Sequence, residues 1–70
     1  MRVTINGEEK HTDARTVAEL VAHLGMKADR VAVELNLDIV ARERWADTAL
    51  HDGDKLEIVH FVGGGRKLRN

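Results

Sequence analysis

Polar and apolar residues alternate at the start of the chain. Met1, Val3 and Ile5 fall on one side and Arg2, Thr4 and Asn6 on the other, the period of two that marks a strand. Asn6-Gly7 comes next and signals a two-residue hairpin, so Glu8–Thr12 reads as the returning strand, polar enough to sit at an edge. The period then changes. Val17, Leu20, Val21 and Leu24 recur at i, i+3, i+4 and i+7, one stripe of a helix. Thr16 with Glu19 three residues on fits a capping box at its start, and Gly25 stands where a C-cap glycine belongs.

The second half returns to strand periodicity. Val31, Val33 and Leu35 share one face of a third strand, and Asn36 breaks it. Ile39-Val40 reads as a short strand. Arg42–Ala49 predicts a turn or a brief 3₁₀ segment with Trp45 against the core, and Asp52-Gly53-Asp54 a turn that launches a strand over Lys55–Val62. In that strand Leu56 and Ile58 alternate with Glu57, but Val59 and Phe61 appear on the opposite face. A single helix covers only one face of a sheet. Val59 and Phe61 therefore either meet a second small cluster or stay partly exposed as a docking surface. Strand, hairpin, strand, helix, then strands: the class is α+β, a mixed sheet of four to five strands with one main helix packed on one face.

Seventy residues make one domain with a thin core. There is no cysteine, hence no disulfide, no thiolate metal site and no side-chain thioester or persulfide. The four histidines form no close pair, so no metal site is expected. No apolar run approaches the ~18 residues of a membrane span, and the N-terminus reads as strand and turn rather than as a signal peptide, which points to the cytoplasm. The formal net charge of −1 argues against a strong basic field for nucleic acid. That charge is unevenly placed. Without the three cations of residues 66–70, eight Lys+Arg face twelve Asp+Glu, so residues 1–65 carry −4.

Three of the six glycines, Gly63, Gly64 and Gly65, stand in a row where the apolar run stops. Such a run is a narrow thread with no side chains, reaching ~10 Å when extended. It can act as a plain linker, or it can enter a slot that excludes every other residue type.

In this order and spacing, the chain resembles the β-grasp (ubiquitin-like) sulfur carriers, and most closely the thiamine-biosynthesis sulfur carrier family, ThiS. The resemblance runs from Met1 to Gly65. It rests on Val3–Gly7, Thr16–Val21 with Leu24, Val31–Asn36, Ile39-Val40, Arg42 with Trp45, Leu50, Asp52–Asp54 and Glu57–Gly65.

The resemblance implies a protein cosubstrate rather than an enzyme. The carboxylate of Gly65, beside Gly64, would be joined to AMP by a ubiquitin-activating-like adenylyltransferase that uses ATP. Sulfur would then displace AMP to leave a thiocarboxylate, and a thiazole synthase would take the sulfur. No permanently bound cofactor is implied. Val59, Phe61, Val62 and Gly63 would form the partner-binding stretch. Related carriers for molybdopterin or for cysteine and metabolite synthesis share this fold and ending. A non-catalytic ubiquitin-like interaction module is a further alternative.

The resemblance also implies an ending at the last glycine, whereas this chain continues with Arg66-Lys67-Leu68-Arg69-Asn70. While that basic tail is attached, the Gly65 carbonyl is an amide and cannot be adenylated. The chain then reads as a domain over 1–65 and a tail over 66–70 that is removed or disordered. A peptidase trims it, or it is foreign to the domain, or the carrier chemistry has been lost.

Overall fold

The computed structural model describes residues 1–62 and 66–69; for residue 62 and residues 66–69 the description is of the backbone. Its strands are β1 (Arg2–Ile5), β2 (Glu8–His11), β3 (Val31–Leu35), β4 (Asp38–Val40), β5 (Lys55–Val62) and β6 (Arg66–Arg69), and its helix is α1 (Val17–His23). Five strands lie in the order β2-β1-β5-β3-β4. The sheet is mixed: β1 and β5 run parallel, with Thr4 beside Lys55 and Ile5 beside Leu56, and the other pairs are antiparallel. This is the β-grasp arrangement that the resemblance implied. The three inner strands, β1, β5 and β3, carry apolar residues at alternate positions and bury them in one core with the helix.

Each element has a local cause. Asn6 and Gly7 take φ of 51° and 81°, the left-handed pair that a tight two-residue hairpin demands. At the helix start, the Thr16 hydroxyl accepts from the Glu19 N–H at 3.2 Å. The reciprocal bond shifts by one residue from the capping-box pattern, since the Glu19 carboxylate accepts from the Arg15 N–H at 2.8 Å. At its end, Gly25 adopts φ 73°, and the N–H groups of Gly25 and Met26 reach the carbonyls of Ala22 and Val21. That is a Schellman closure, and it satisfies two carbonyls the helix leaves open.

Val17, Leu20 and Val21 enter the core from the helix, Val3 and Ile5 from β1, Val31 and Val33 from β3, and Leu56 and Ile58 from β5. The stretch Arg42–Asp47 is a six-residue 3₁₀ helix that seats Trp45 in this core at 4 % exposure. Its indole N–H donates to the Val40 carbonyl at 2.8 Å, so the one polar atom of the ring is paired. Ala28–Arg30 is a short 3₁₀ turn leading into β3.

In the tail, which the sequence reads as removed or disordered, the backbone of Arg66–Arg69 forms β6, antiparallel to the end of β5. The physical reason lies in β5. Beyond Leu56 it has lost β1 as a neighbour, and an open strand edge offers N–H and C=O groups to whatever chain lies beside it.

Candidate functional site

The site the sequence points to is the end of β5 and the glycines beyond it. On one side β5 is paired along most of its length with β3, from Leu35–Leu56 to Val31–His60. On the other side three different groups take turns. β1 pairs at Lys55 and Leu56, and the Asn6 N–H donates to the Leu56 carbonyl at 2.9 Å. The Asn6 side chain then spans Ile58, accepting from its N–H at 2.7 Å and donating to its carbonyl at 3.1 Å. From Val59 to Val62 the neighbour is β6, with Val59 opposite Arg69 and Val62 opposite Arg66. The carboxamide of one turn residue thus bridges the gap between two strands.

Of the residues expected to bind a partner, Val59 and Phe61 lie on the sheet face away from the helix and are half-buried. Among the described residues, neither belongs to the core cluster. Ala32 stands opposite Val59 across β3. Val62 closes β5. Gly63, Gly64 and Gly65, the expected thread and reacting terminus, lie outside the described residues.

The same sheet carries a feature that the strand pattern alone did not show. Asn36 and Leu37 join β3 to β4 with φ of 51° and 77°, so this connection is a second left-handed two-residue turn, the counterpart of Asn6-Gly7. Asn36 is tied down as Asn6 is. Its N–H donates to the Lys55 carbonyl at 2.7 Å, its side-chain oxygen accepts from the Lys55 N–H at 3.0 Å, and its amide nitrogen donates to the Asp54 carboxylate at 3.0 Å. Two asparagines therefore clip β5 from its two flanks. A sequence signal was present in both: an asparagine directly after one strand, with the next strand beginning two residues later.

The second residues of the turns differ. Gly7 holds its positive φ without strain, whereas Leu37 bears a branched side chain in a region that costs an L-residue about 1–2 kcal/mol. Leu37 is 89 % exposed and Ile39, in β4, is 77 % exposed. Between the two turns runs a shallow groove of about 490 Å³, lined by residues that include Thr4, Gly7, Leu37, Leu56 and Glu57. Glu34 stands opposite both Glu57 and Ile39, so the groove is bordered by these two carboxylates and by Lys55.

Among the described residues, no group of three or more His, Asp or Glu side chains is placed to hold a metal ion. No helix among them is long and apolar enough to cross a membrane. What the site provides is a strand that delivers the chain to its glycines beside a face that is only partly covered.

Comparison with known proteins points the same way. A family model described as the ThiS family matches residues 3–65. A thiazole synthase of Paramagnetospirillum magneticum is 52 % identical over 66 residues, which cover 93 % of this chain and 20 % of that protein. The sulfur carrier protein ThiS of Bacillus subtilis is 43 % identical over 53 residues, covering 76 % of this chain and 80 % of that one. The crystal structure of a thiamine biosynthesis protein (ThiS) from Geobacter metallireducens superposes with a TM-score of 0.78 at 39 % identity, covering 93 % of this chain and 100 % of that chain. The chain spans about a fifth of the length of the thiazole synthases of Paramagnetospirillum magneticum and Magnetococcus marinus.

Proposed function

The chain belongs to the ThiS family, and on that premise we propose that it works as a sulfur carrier for thiamine thiazole biosynthesis. The observation that carries the reading is the family match running to Gly65, joined to a fold whose central strand closes at Val62, directly before the first of the three glycines. A terminal glycine carboxylate, with an ordinary pKa of roughly 3.3–3.7, is ionised and unreactive at neutral pH. Activation joins it to the α-phosphate of ATP with loss of pyrophosphate. Sulfide then attacks the acyl carbon, the bond to AMP breaks as the C–S bond forms, and a thiocarboxylate remains. Nothing in this sequence of steps needs a base, metal or thiol from the carrier, and the chain has no cysteine to offer.

The adenylyltransferase, which uses the ATP, and a thiazole synthase are the partners in this reading. The thiazole synthases of which this chain matches a fifth support the second. The setting is cytoplasmic, where ATP is available. Val59 and Phe61, half-buried near the start of the thread, form the docking stretch with Val62 and Gly63. The carboxylate of Gly65 becomes available once a peptidase removes residues 66–70.

Intact mass of the protein from its native cell tests the reading. The expected result is a species ending at Gly65, and a further gain of about 16 Da as one carboxylate oxygen is replaced by sulfur. A full-length mass in cells that are actively making thiamine would overturn it, and would favour an interaction module that keeps its basic tail.

A further inference from the structure

The two asparagine turns are an internal comparison. They share a backbone conformation, they flank the same strand, and both are fixed to it by their own side chains. At the second position one has glycine, the residue that this conformation favours, and the other has leucine. Leu37 gains nothing from the fold in exchange, since at 89 % exposure it packs against almost nothing. Its neighbour on the hairpin, Ile39, is 77 % exposed. Of the three large apolar side chains exposed among the described residues, these are two, and the third is Met1. A strained backbone that is held rigidly and presents an apolar side chain to solvent is the form of a residue kept for an external contact.

We propose that the Leu37–Ile39 hairpin is a second docking point, and that its occupant is an apolar recess rimmed by lysine or arginine on the protein that receives the glycine thread. The inference rests on the carrier reading for the identity of that receiver, a thiazole synthase. The charge of the rim follows from the border of the hairpin. Glu34 faces Ile39 and Glu57 across the sheet, Glu34 and Glu57 outnumber Lys55 along the groove, and residues 1–65 carry −4 in all. The position also matters. The hairpin stands at the start of β5, where Asn36 meets Lys55, and the glycines come after its other end. The 8 residues of the strand separate them by about 25 Å. A flexible thread alone would let the domain swivel about its point of entry. A second contact that far away fixes its orientation and makes thread entry effectively intramolecular.

The test is calorimetric titration of a thiazole synthase from the same organism with the full chain and its Leu37→Gly and Ile39→Thr variants, alongside their melting curves. Leu37→Gly is expected to melt about 4 °C higher, because glycine relieves the strain, and yet to bind at least 10-fold more weakly. A purely structural role cannot move the two readouts in those directions together. Ile39→Thr, which keeps a strand-forming side chain, is expected to weaken binding by about 5-fold, and added salt to weaken the unsubstituted chain further. Equal affinity of Leu37→Gly and the unsubstituted chain overturns the docking point and leaves the carrier reading standing. Absence of binding by the unsubstituted chain overturns the choice of receiver and this docking point with it. A dimer in sedimentation that Leu37→Gly dissociates assigns the hairpin to a second copy, and that too overturns the proposal.

Discussion

The carboxamide of Asn6 closes a ring with the backbone of Ile58, taking its N–H at 2.7 Å and giving to its carbonyl at 3.1 Å. The two lie 52 residues apart in sequence. The side chain does here what a further residue of β1 would have done, at the point where β1 has already turned away. Asn6→Gly keeps the positive φ and loses only the amide, and it is expected to cost about 2 kcal/mol, since the Ile58 N–H is left with no partner. Asn6→Ala also meets the left-handed penalty and is expected to cost about 1 kcal/mol more. Urea denaturation of the two variants separates the contributions.

Trp45 is a core residue with one polar obligation. Trp45→Ala is expected to destabilise by ~3–5 kcal/mol, a large share of the stability of a domain this small. Trp45→Phe keeps most of the volume and removes the donor to Val40, for an expected loss of about 1–2 kcal/mol. Thermal denaturation followed by circular dichroism reports both.

Gly65→Ala is expected to behave in the opposite way. On the carrier reading, in a chain ending at residue 65 it should leave the melting temperature within about 1 °C while adenylation by the proposed activating enzyme falls at least 10-fold, because a methyl group would obstruct a slot shaped for bare backbone. Pyrophosphate release measures the second effect. A large fall in melting temperature would place the thread in the core instead.

Removal of residues 66–70 takes β6 from the edge of β5. Amide exchange is expected to speed up within Val59–Val62 and to stay unchanged at Val31–Leu35, whose pairing with β5 lies on the other flank. The melting temperature should drop by no more than about 5 °C, since the core formed by the described residues lies between Val3 and Ile58.

Much of this molecule is legible in its residues. The alternation in β1, β3 and β5 and the four-residue stripe in α1 are dictated by burial on a single face, so polarity reports them directly. Trp45 was readable because one large aromatic side chain in so small a domain has few places to go. The span of β5 was readable to the residue, because Asp52-Gly53-Asp54 starts it and the glycines end it. The role of Asn6 and Asn36 was only half legible. Each announces a turn, but the strand it fastens is distant in sequence. Leu37 gave no local sign of a positive φ, because leucine is not chosen for one; only the register of β3 with β4 forces it. β6 escaped for a related reason. Its short, charged sequence has no burial pattern, and its partner is an edge left free by the geometry of β1.

The earliest strand, β1, and the late strand β5 lie side by side in the middle of the sheet. During synthesis on a ribosome, residues 1–54 therefore emerge with the centre of their sheet missing, and β2-β1 and β3-β4 remain two hairpins with nothing between them. Folding waits for β5 to leave the exit tunnel, as expected of a topology dominated by distant pairings. The glycines emerge directly behind that strand, so, on the carrier reading, an activating enzyme that recognised the closed domain would act only on a chain whose translation has run past them.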